Sequence, residues 1–312
     1  MKHQHEEFLV TNDVSVILTM DCEPALFELS SLAIQLSGSG PATYEQGERS
    51  IRGYVEAADK AGYPVTLFAH PEVARAQTAL LLELQSAGAC LGMHLHPYKF
   101  DDQRYPRDLG GFDGDQQREM LSDAAKVWSE ALGQHPSFFR GGVFSANDQT
   151  FGVLADLGFD GGSLSCPGRV LPQAMAVWAG AELYPHRANL SFRQISGDSD
   201  FIEVPISVDT SRPMARGDRH EAGFEWPYIP SRNYDHRAVA RGILKQSAED
   251  DTMFPTYMTN THQDQDYADP LHPASINLQS VFETLRETAD ENQAGLIGTT
   301  IAEMVGRVQN ST

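Results

Sequence analysis

The sequence predicts an α/β fold, a closed or nearly closed (β/α) barrel. Three observations carry this expectation. Short apolar, β-branched runs alternate with segments whose apolar residues recur every three to four positions, the pattern of βαβ units in a mainly parallel sheet. The count of about seven or eight such runs favours a barrel over an open sheet. The alternation continues from residue 14 to residue 309 with no internal repeat, charge block or low-complexity linker, which predicts a single domain over 1–312.

Residues 14–21 (VSVILTMD) read as a buried strand that ends in acid and is stopped by Pro24. Residues 25–49 are rich in Ser and Gly and predict a long loop, as do 165–200 and 211–232. Ile51, Tyr54, Val55 and Ala58 share one helical face, and Gly62 stops that helix. PVTLF (64–68) is a short strand, 72–86 a helix ending at Gly88, and ACLGMHLHP (89–97) a strand closed by Pro97. A helix over 115–132, a strand PSFFR (136–140) and a helix capped by Asn147 follow, then a weak strand over 159–164. FIEVPISVD (201–209) predicts an edge or bulged strand because of Pro205. Helices near 234–249, 276–290 and 301–309 and strands near 254–261 and at LIGTT complete the chain.

The charge balance narrows the function. Asp plus Glu number 43 against 23 Lys plus Arg, a formal charge of −20. Phosphate backbones and anionic lipid need clustered Lys and Arg, so the sequence argues against a nucleic-acid binder and a membrane anchor. A carbohydrate or other small-molecule substrate is compatible with it. No run of about 18 apolar residues predicts a membrane helix, and MKHQHEEFLV lacks the apolar stretch of a secretory leader. Cys22, Cys90 and Cys166 are too scattered for a disulfide framework or a Cys-x-x-Cys metal site. The expected location is cytoplasmic.

In such folds the working residues sit at the carboxyl ends of strands. The first strand ends in Asp21-Cys22-Glu23, and residues two apart on an extended chain share a face. The third ends in His94-Leu95-His96, which puts both imidazoles on one side. Two histidines and a carboxylate make a three-ligand site with open positions, the layout of a catalytic metal. Each pattern has a plainer reading: a chance His-x-His, an acidic helix cap, a turn at Arg140-Gly141-Gly142. Their joint occurrence at the ends of different strands favours a site, and Asn260-Thr261-His262 ends another strand. Phe224, Trp226 and Tyr228 are candidates to stack on a sugar face, or simply pack their loop.

Taken in order, these segments resemble the polysaccharide deacetylase (NodB-homology, carbohydrate esterase) family. Leu18-Thr19-Met20-Asp21-Cys22-Glu23 is similar to its Asp-x-acid first motif, and Gly92-Met93-His94-Leu95-His96-Pro97 to its histidine motif. Phe138-Phe139-Arg140-Gly141-Gly142, Leu157-Gly158-Phe159, Ile202-Glu203-Val204-Pro205, His262 and Gly298-Thr299-Thr300-Ile301-Ala302-Glu303-Met304 follow the later motifs. The resemblance implies a distorted, incomplete (β/α) barrel of NodB type. It implies Asp21 as the general base, Arg140 as the group that holds Asp21 ionised, and His262 as the general acid. It implies Glu23 and His94 as ligands of a divalent metal ion, zinc first, with nickel or cobalt as alternatives. The family's second histidine falls four residues after the first, where this chain has Tyr98; His96 would serve instead, and Tyr98 becomes a candidate substrate contact.

The expected activity is removal of an N-acetyl group from a sugar or glycan precursor by metal-assisted amide hydrolysis. Two alternatives stand beside it: a C–N hydrolase acting on a cyclic amide or ureide, and a non-catalytic sugar-binding barrel that has lost its metal.

Overall fold

The computed structural model describes residues 13–311; the segment MKHQHEEFLV, read above for a leader, lies outside them. The chain runs β1 (Val14–Cys22), α1 (Ser31–Leu36), α2 (Tyr44–Ala61), β2 (Val65–Ala69), α3 (Pro71–Ala76), α4 (Thr78–Ser86), β3 (Cys90–Leu95), α5 (Pro97–Phe100), α6 (Gly114–Leu132) and β4 (Phe138–Gly141). It continues through α7 (Thr150–Asp156), β5 (Gly161–Gly162), β6 (Val170–Leu171), β7 (Ala176–Val177), β8 (His186–Arg187), β9 (Ile202–Glu203), β10 (Asp209–Arg216) and β11 (Glu221–Glu225). It ends with α8 (His236–Glu249), β12 (Thr256–Met258), β13 (Thr261–His262), α9 (Pro273–Asn292), β14 (Leu296–Gly298) and α10 (Ile301–Asn310).

The main sheet is ordered β12-β1-β2-β3-β4-β5-β9-β8, with β13 and β14 also paired to β1. Its pairings are parallel except β8 with β9. The sheet curls into an incomplete barrel. β1 is flanked by β2, β12, β13 and β14 and all nine of its residues are buried, so a continuous apolar run suits it where an alternating one would not. The open side between β9 and β12 is bridged by Ser207, whose hydroxyl donates to the Thr256 carbonyl at 3.0 Å and accepts from the Met258 amide at 2.8 Å.

Several sequence expectations need correction. Residues 211–232 are not a structureless loop. β10 and β11 form an antiparallel hairpin that joins β6 and β7 in a second, four-stranded sheet. Arg212 and Pro213 hide this strand from a hydrophobic reading, and the register shifts between Asp209 and Pro213, where the ring cannot donate to the ladder. Residues 165–200 carry β6, β7 and β8. The stretch 25–49 contains α1 and the start of α2, which begins at Tyr44, ahead of its apolar stripe, because the Thr43 side chain accepts from the Gln46 amide and caps it. The single helix over 72–86 breaks at Gln77, whose φ of −120° leaves the helical region. Of 201–209 only Ile202 and Glu203 form sheet ladder before β10 begins. Asn147 does not cap α7; its side chain donates instead to the carbonyls of Gly110 and Phe112. Among the described residues no helix is long and apolar enough to cross a membrane.

Candidate active site

The carboxyl ends of β1, β3, β4 and β13 meet at one end of the barrel. Parallel register puts Asp21 opposite His262 and His94 opposite Arg140. Along β1, Thr19, Asp21 and Glu23 turn to the polar side, while Met20 and Cys22 pack into the core. All three cysteines are unpaired, and Cys22 is inert in the apolar interior, where burial raises its thiol pKa well above the ordinary value.

Arg140 organises one half of the site. It is fully buried, and its Nη1 donates to Asp21 Oδ1 at 3.0 Å, to Thr19 Oγ1 at 2.7 Å and to Asn260 Oδ1 at 3.1 Å. Nη2 donates to Ser163 Oγ at 3.0 Å, and the guanidinium lies 4.3 Å from the centre of the Phe68 ring. Asn260 Nδ2 donates to Asp21 Oδ2 at 3.1 Å. Burial by itself would raise the Asp21 carboxyl, but Arg140, His94 and His262 outweigh it and hold the group below the usual carboxylate range.

Glu23 lies just beyond the end of β1. The Gln263 side-chain amide clamps its peptide from both sides, accepting from Glu23 N at 2.6 Å and donating to Glu23 O at 2.7 Å. Oε2 accepts from Ser39 Oγ at 2.7 Å and from the buried ammonium of Lys99. Oε1 has no hydrogen-bond partner among the described residues, although it is buried. Burial opposes ionisation of Glu23, but the positive neighbours, Lys99 first, hold it well below the usual range.

The two histidines aim at that orphaned oxygen. His94 Nδ1 lies 3.1 Å from the Arg140 carbonyl, so the proton sits on Nδ1 and the Nε2 lone pair is free. Nε2 is itself buried without a partner, 3.9 Å from Glu23 Oε1. Burial pushes the His94 imidazole down to about 4, so it is neutral at pH 7, as a ligand must be. His96 Nε2 lies 3.6 Å from Glu23 Oε1, and its Nδ1 is 2.8 Å from the Tyr98 hydroxyl. Room for the His96 ring exists only because residue 142 is glycine: a Cβ there would lie 2.3 Å from Nδ1. Glu23, His94 and His96 each offer one donor atom, all within 4.8 Å of one another. Two orphaned buried donors, an O/N/N set and a free side toward the cavity fit a divalent cation with open positions.

His262 stands across from this trio, 16% exposed, with Nε2 3.7 Å from Asp21 Oδ2 and 3.5 Å from Glu23 Oε1. Its Nδ1 lies 3.2 Å from the Tyr228 hydroxyl. Above lies a cavity of about 260 Å³ lined by Asp21, Glu23, His96, His262, Trp226 and Tyr228, among others. Such a volume lies just under the ~300–1,000 Å³ usual for small-molecule pockets.

The structure therefore brings together Asp21, Glu23, His94, His96, Arg140 and His262, and Trp226 and Tyr228 reach the cavity. Tyr98 and Phe224 do not line it. Tyr98 is buried behind His96, because α5 turns it back onto the ring, and Phe224 packs over Gly168. Lys99, Ser39 and Gln263 also belong to the site. Nothing in their spacing marks them; α5 carries Lys99 into the site, and the segment before α2 brings Ser39 beside it.

No protein-family model matches the chain, and no curated protein matches it by sequence. Solved structures do match it in fold. A protein designated a polysaccharide deacetylase from Mycobacterium smegmatis superposes with a TM-score of 0.57 at 16% identity, over 95% of this chain and 90% of that one. A protein designated a glycoside hydrolase/deacetylase from Parabacteroides distasonis gives 0.62 at 11% identity, over 97% and 74%. The allantoinase PuuE gives 0.55 at 13% identity, over 95% and 90%. The chain thus has the distorted (β/α) barrel of the NodB-homology type, the fold its motifs resemble.

Proposed function

We propose that the protein is a metal-dependent hydrolase that removes an N-acetyl group from a sugar or glycan precursor. The observation that carries this is the convergence of Glu23 Oε1, His94 Nε2 and His96 Nε2 beside an Asp21 carboxylate clamped by Arg140. A divalent cation on those three donors would polarise the acyl carbonyl and lower the pKa of water.

The chain's own residues account for the remaining requirements. Asp21, held ionised by Arg140 and oriented by Asn260, accepts the proton of the attacking water. His262, on the other side of the Asp21–Glu23 edge, delivers a proton to the leaving nitrogen, since an amide anion is too basic to depart. The Tyr228 hydroxyl holds the His262 ring by Nδ1, which leaves Nε2 toward the cavity as the transferring atom. Lys99 neutralises the second oxygen of Glu23, which restricts that carboxylate to one donor atom. Trp226 and Tyr228 stack on each other at 5.0 Å and offer an apolar wall for a sugar ring.

The test is acetate release from N-acetylated sugars after loading with zinc, cobalt or nickel, set against ring opening of cyclic amides and ureides. Acetate release that requires stoichiometric metal and is lost in His94→Ala supports the reading. Turnover of ring amides alone replaces it with the other C–N hydrolysis. Absence of stoichiometric metal, with no activity gained on adding it, favours a non-catalytic sugar-binding barrel.

A further inference from the structure

Part of the cavity wall is cationic. Arg169, Arg216 and Arg219 line it, all within 4.0 Å of one carboxylate, Glu221. Arg169 is buried and forked onto Glu221 Oε1, with both Nε and Nη2 at 2.9 Å, and its Nη1 donates to the Val143 carbonyl at 3.0 Å. This pair is internally satisfied. Arg216 and Arg219 are not. Each stops 4.0 Å from Glu221 Oε2, beyond hydrogen-bond reach, and that oxygen is buried with no hydrogen-bond partner among the described residues. Arg216 spends one donor on the Tyr234 hydroxyl at 3.2 Å, and the two side chains keep 30% and 52% of their surface in contact with solvent. Glu225, on the same hairpin, is engaged by Arg212 at 2.5 Å.

Three guanidiniums thus face one carboxylate, an excess of two positive charges within this cluster, in a chain whose net charge is −20; the other acids that line the cavity, Asp21 and Glu23, are paired with Arg140 and Lys99. Surface ion pairing does not require this, since acid is abundant elsewhere. A guanidinium presents a planar fork of donors that matches carboxylate and phosphate oxygens.

We infer that the substrate carries an anionic group, a carboxylate or a phosphate on the acylated sugar, bound by Arg216 and Arg219. Arg169 with Glu221 is the fixed base of this subsite and holds the β10–β11 hairpin over the cavity. The assignment deepens the deacetylase reading and rests on it for the acyl group, while the anion contact is separately measurable.

The experiment compares N-acetylglucosamine, its 6-phosphate and N-acetylmuramic acid, which adds a carboxylate, as substrates of the metal-loaded protein. One charged sugar is expected to exceed the neutral one in kcat/KM by ~10–100-fold, the range for hydrogen bonds to charged groups, and the preferred one identifies the anion. Arg216→Gln/Arg219→Gln is expected to erase that preference, and added salt to shrink it. Equal use of the neutral sugar, or a preference that survives the double substitution, overturns the inference. If no sugar releases acetate, the deacetylase reading fails, and calorimetry decides the subsite by itself. Binding of a charged sugar but not the neutral one, lost in the double variant, upholds it; equal or absent binding overturns it.

Discussion

The ammonium of Lys99 and the carboxylate of Glu23 form an ion pair sealed from solvent, with side-chain exposures of 0% and 1%. The pair uses only one carboxylate oxygen and leaves the other facing the imidazoles of His94, His96 and His262. Removing one member of a buried ion pair typically costs about 3–5 kcal/mol, because the remaining charge is uncompensated. Lys99→Met should therefore lower Tm strongly in metal-free protein. Part of the loss should return with zinc, since a cation on Oε1 re-pairs the same carboxylate. The zinc-induced rise in Tm is expected to be larger in the variant than in the wild type; identical rises would show that no cation reaches Glu23.

Asp21→Asn keeps the shape of the side chain and one acceptor oxygen, enough for Arg140 but not also for the Asn260 amide, and removes the proton acceptor. Turnover should fall at least ~10²-fold, in the range for loss of a positioned base, while bound metal measured by atomic absorption stays stoichiometric. A near-normal rate would remove Asp21 from the base role.

His262→Ala should lower kcat while sparing metal content, because His262 sits outside the Glu23–His94–His96 trio. The deficit should be smaller on an acetate ester of a good leaving alcohol than on the matching amide. Equal deficits on ester and amide would mean that His262 orients substrate rather than protonates it.

Gly142→Ala tests the seat of His96. The added Cβ would lie 2.3 Å from His96 Nδ1, so the ring must move. Displacing a ligand's support typically costs ~10–100-fold in metal affinity. Circular dichroism should stay native while zinc titration shows the weaker site. Unchanged affinity would mean that His96 is not a ligand.

Glu203 supplies a pH-dependent stability term away from the metal-type site. It is buried at the end of β9 and accepts from Leu164 N at 3.0 Å, Ser165 N at 2.8 Å and Ser165 Oγ at 2.7 Å. Burial outweighs these bonds and raises its carboxyl from 4.5 to about 7. The folded chain then holds this proton more tightly than the unfolded one. The resulting stability is fully present below pH 4.5 and is lost as pH rises through 7. Urea midpoints should fall from pH 5 to pH 8 more steeply in the wild type than in Glu203→Gln. Parallel slopes would show that Glu203 is ionised throughout.

The barrel class, the buried first strand and the strand-end residues Asp21, Glu23, His94, His96, Arg140 and His262 are legible in the amino-acid sequence. These were readable because strand alternation is local: period two puts Asp21 with Glu23 and His94 with His96 without reference to any other part of the chain. Tertiary structure decided the rest. Lys99 meets Glu23 across 76 positions, and Arg169 meets Glu221 across 52, distances over which no periodicity carries information. Tyr98, at the family's histidine spacing, was turned behind His96 by α5, a helix of four residues too short to leave a pattern. The β10–β11 hairpin leaves no periodic pattern because its strands are held by backbone ladder bonds and cross-strand pairing rather than by an apolar face, and such pairing exists only once the two strands lie side by side.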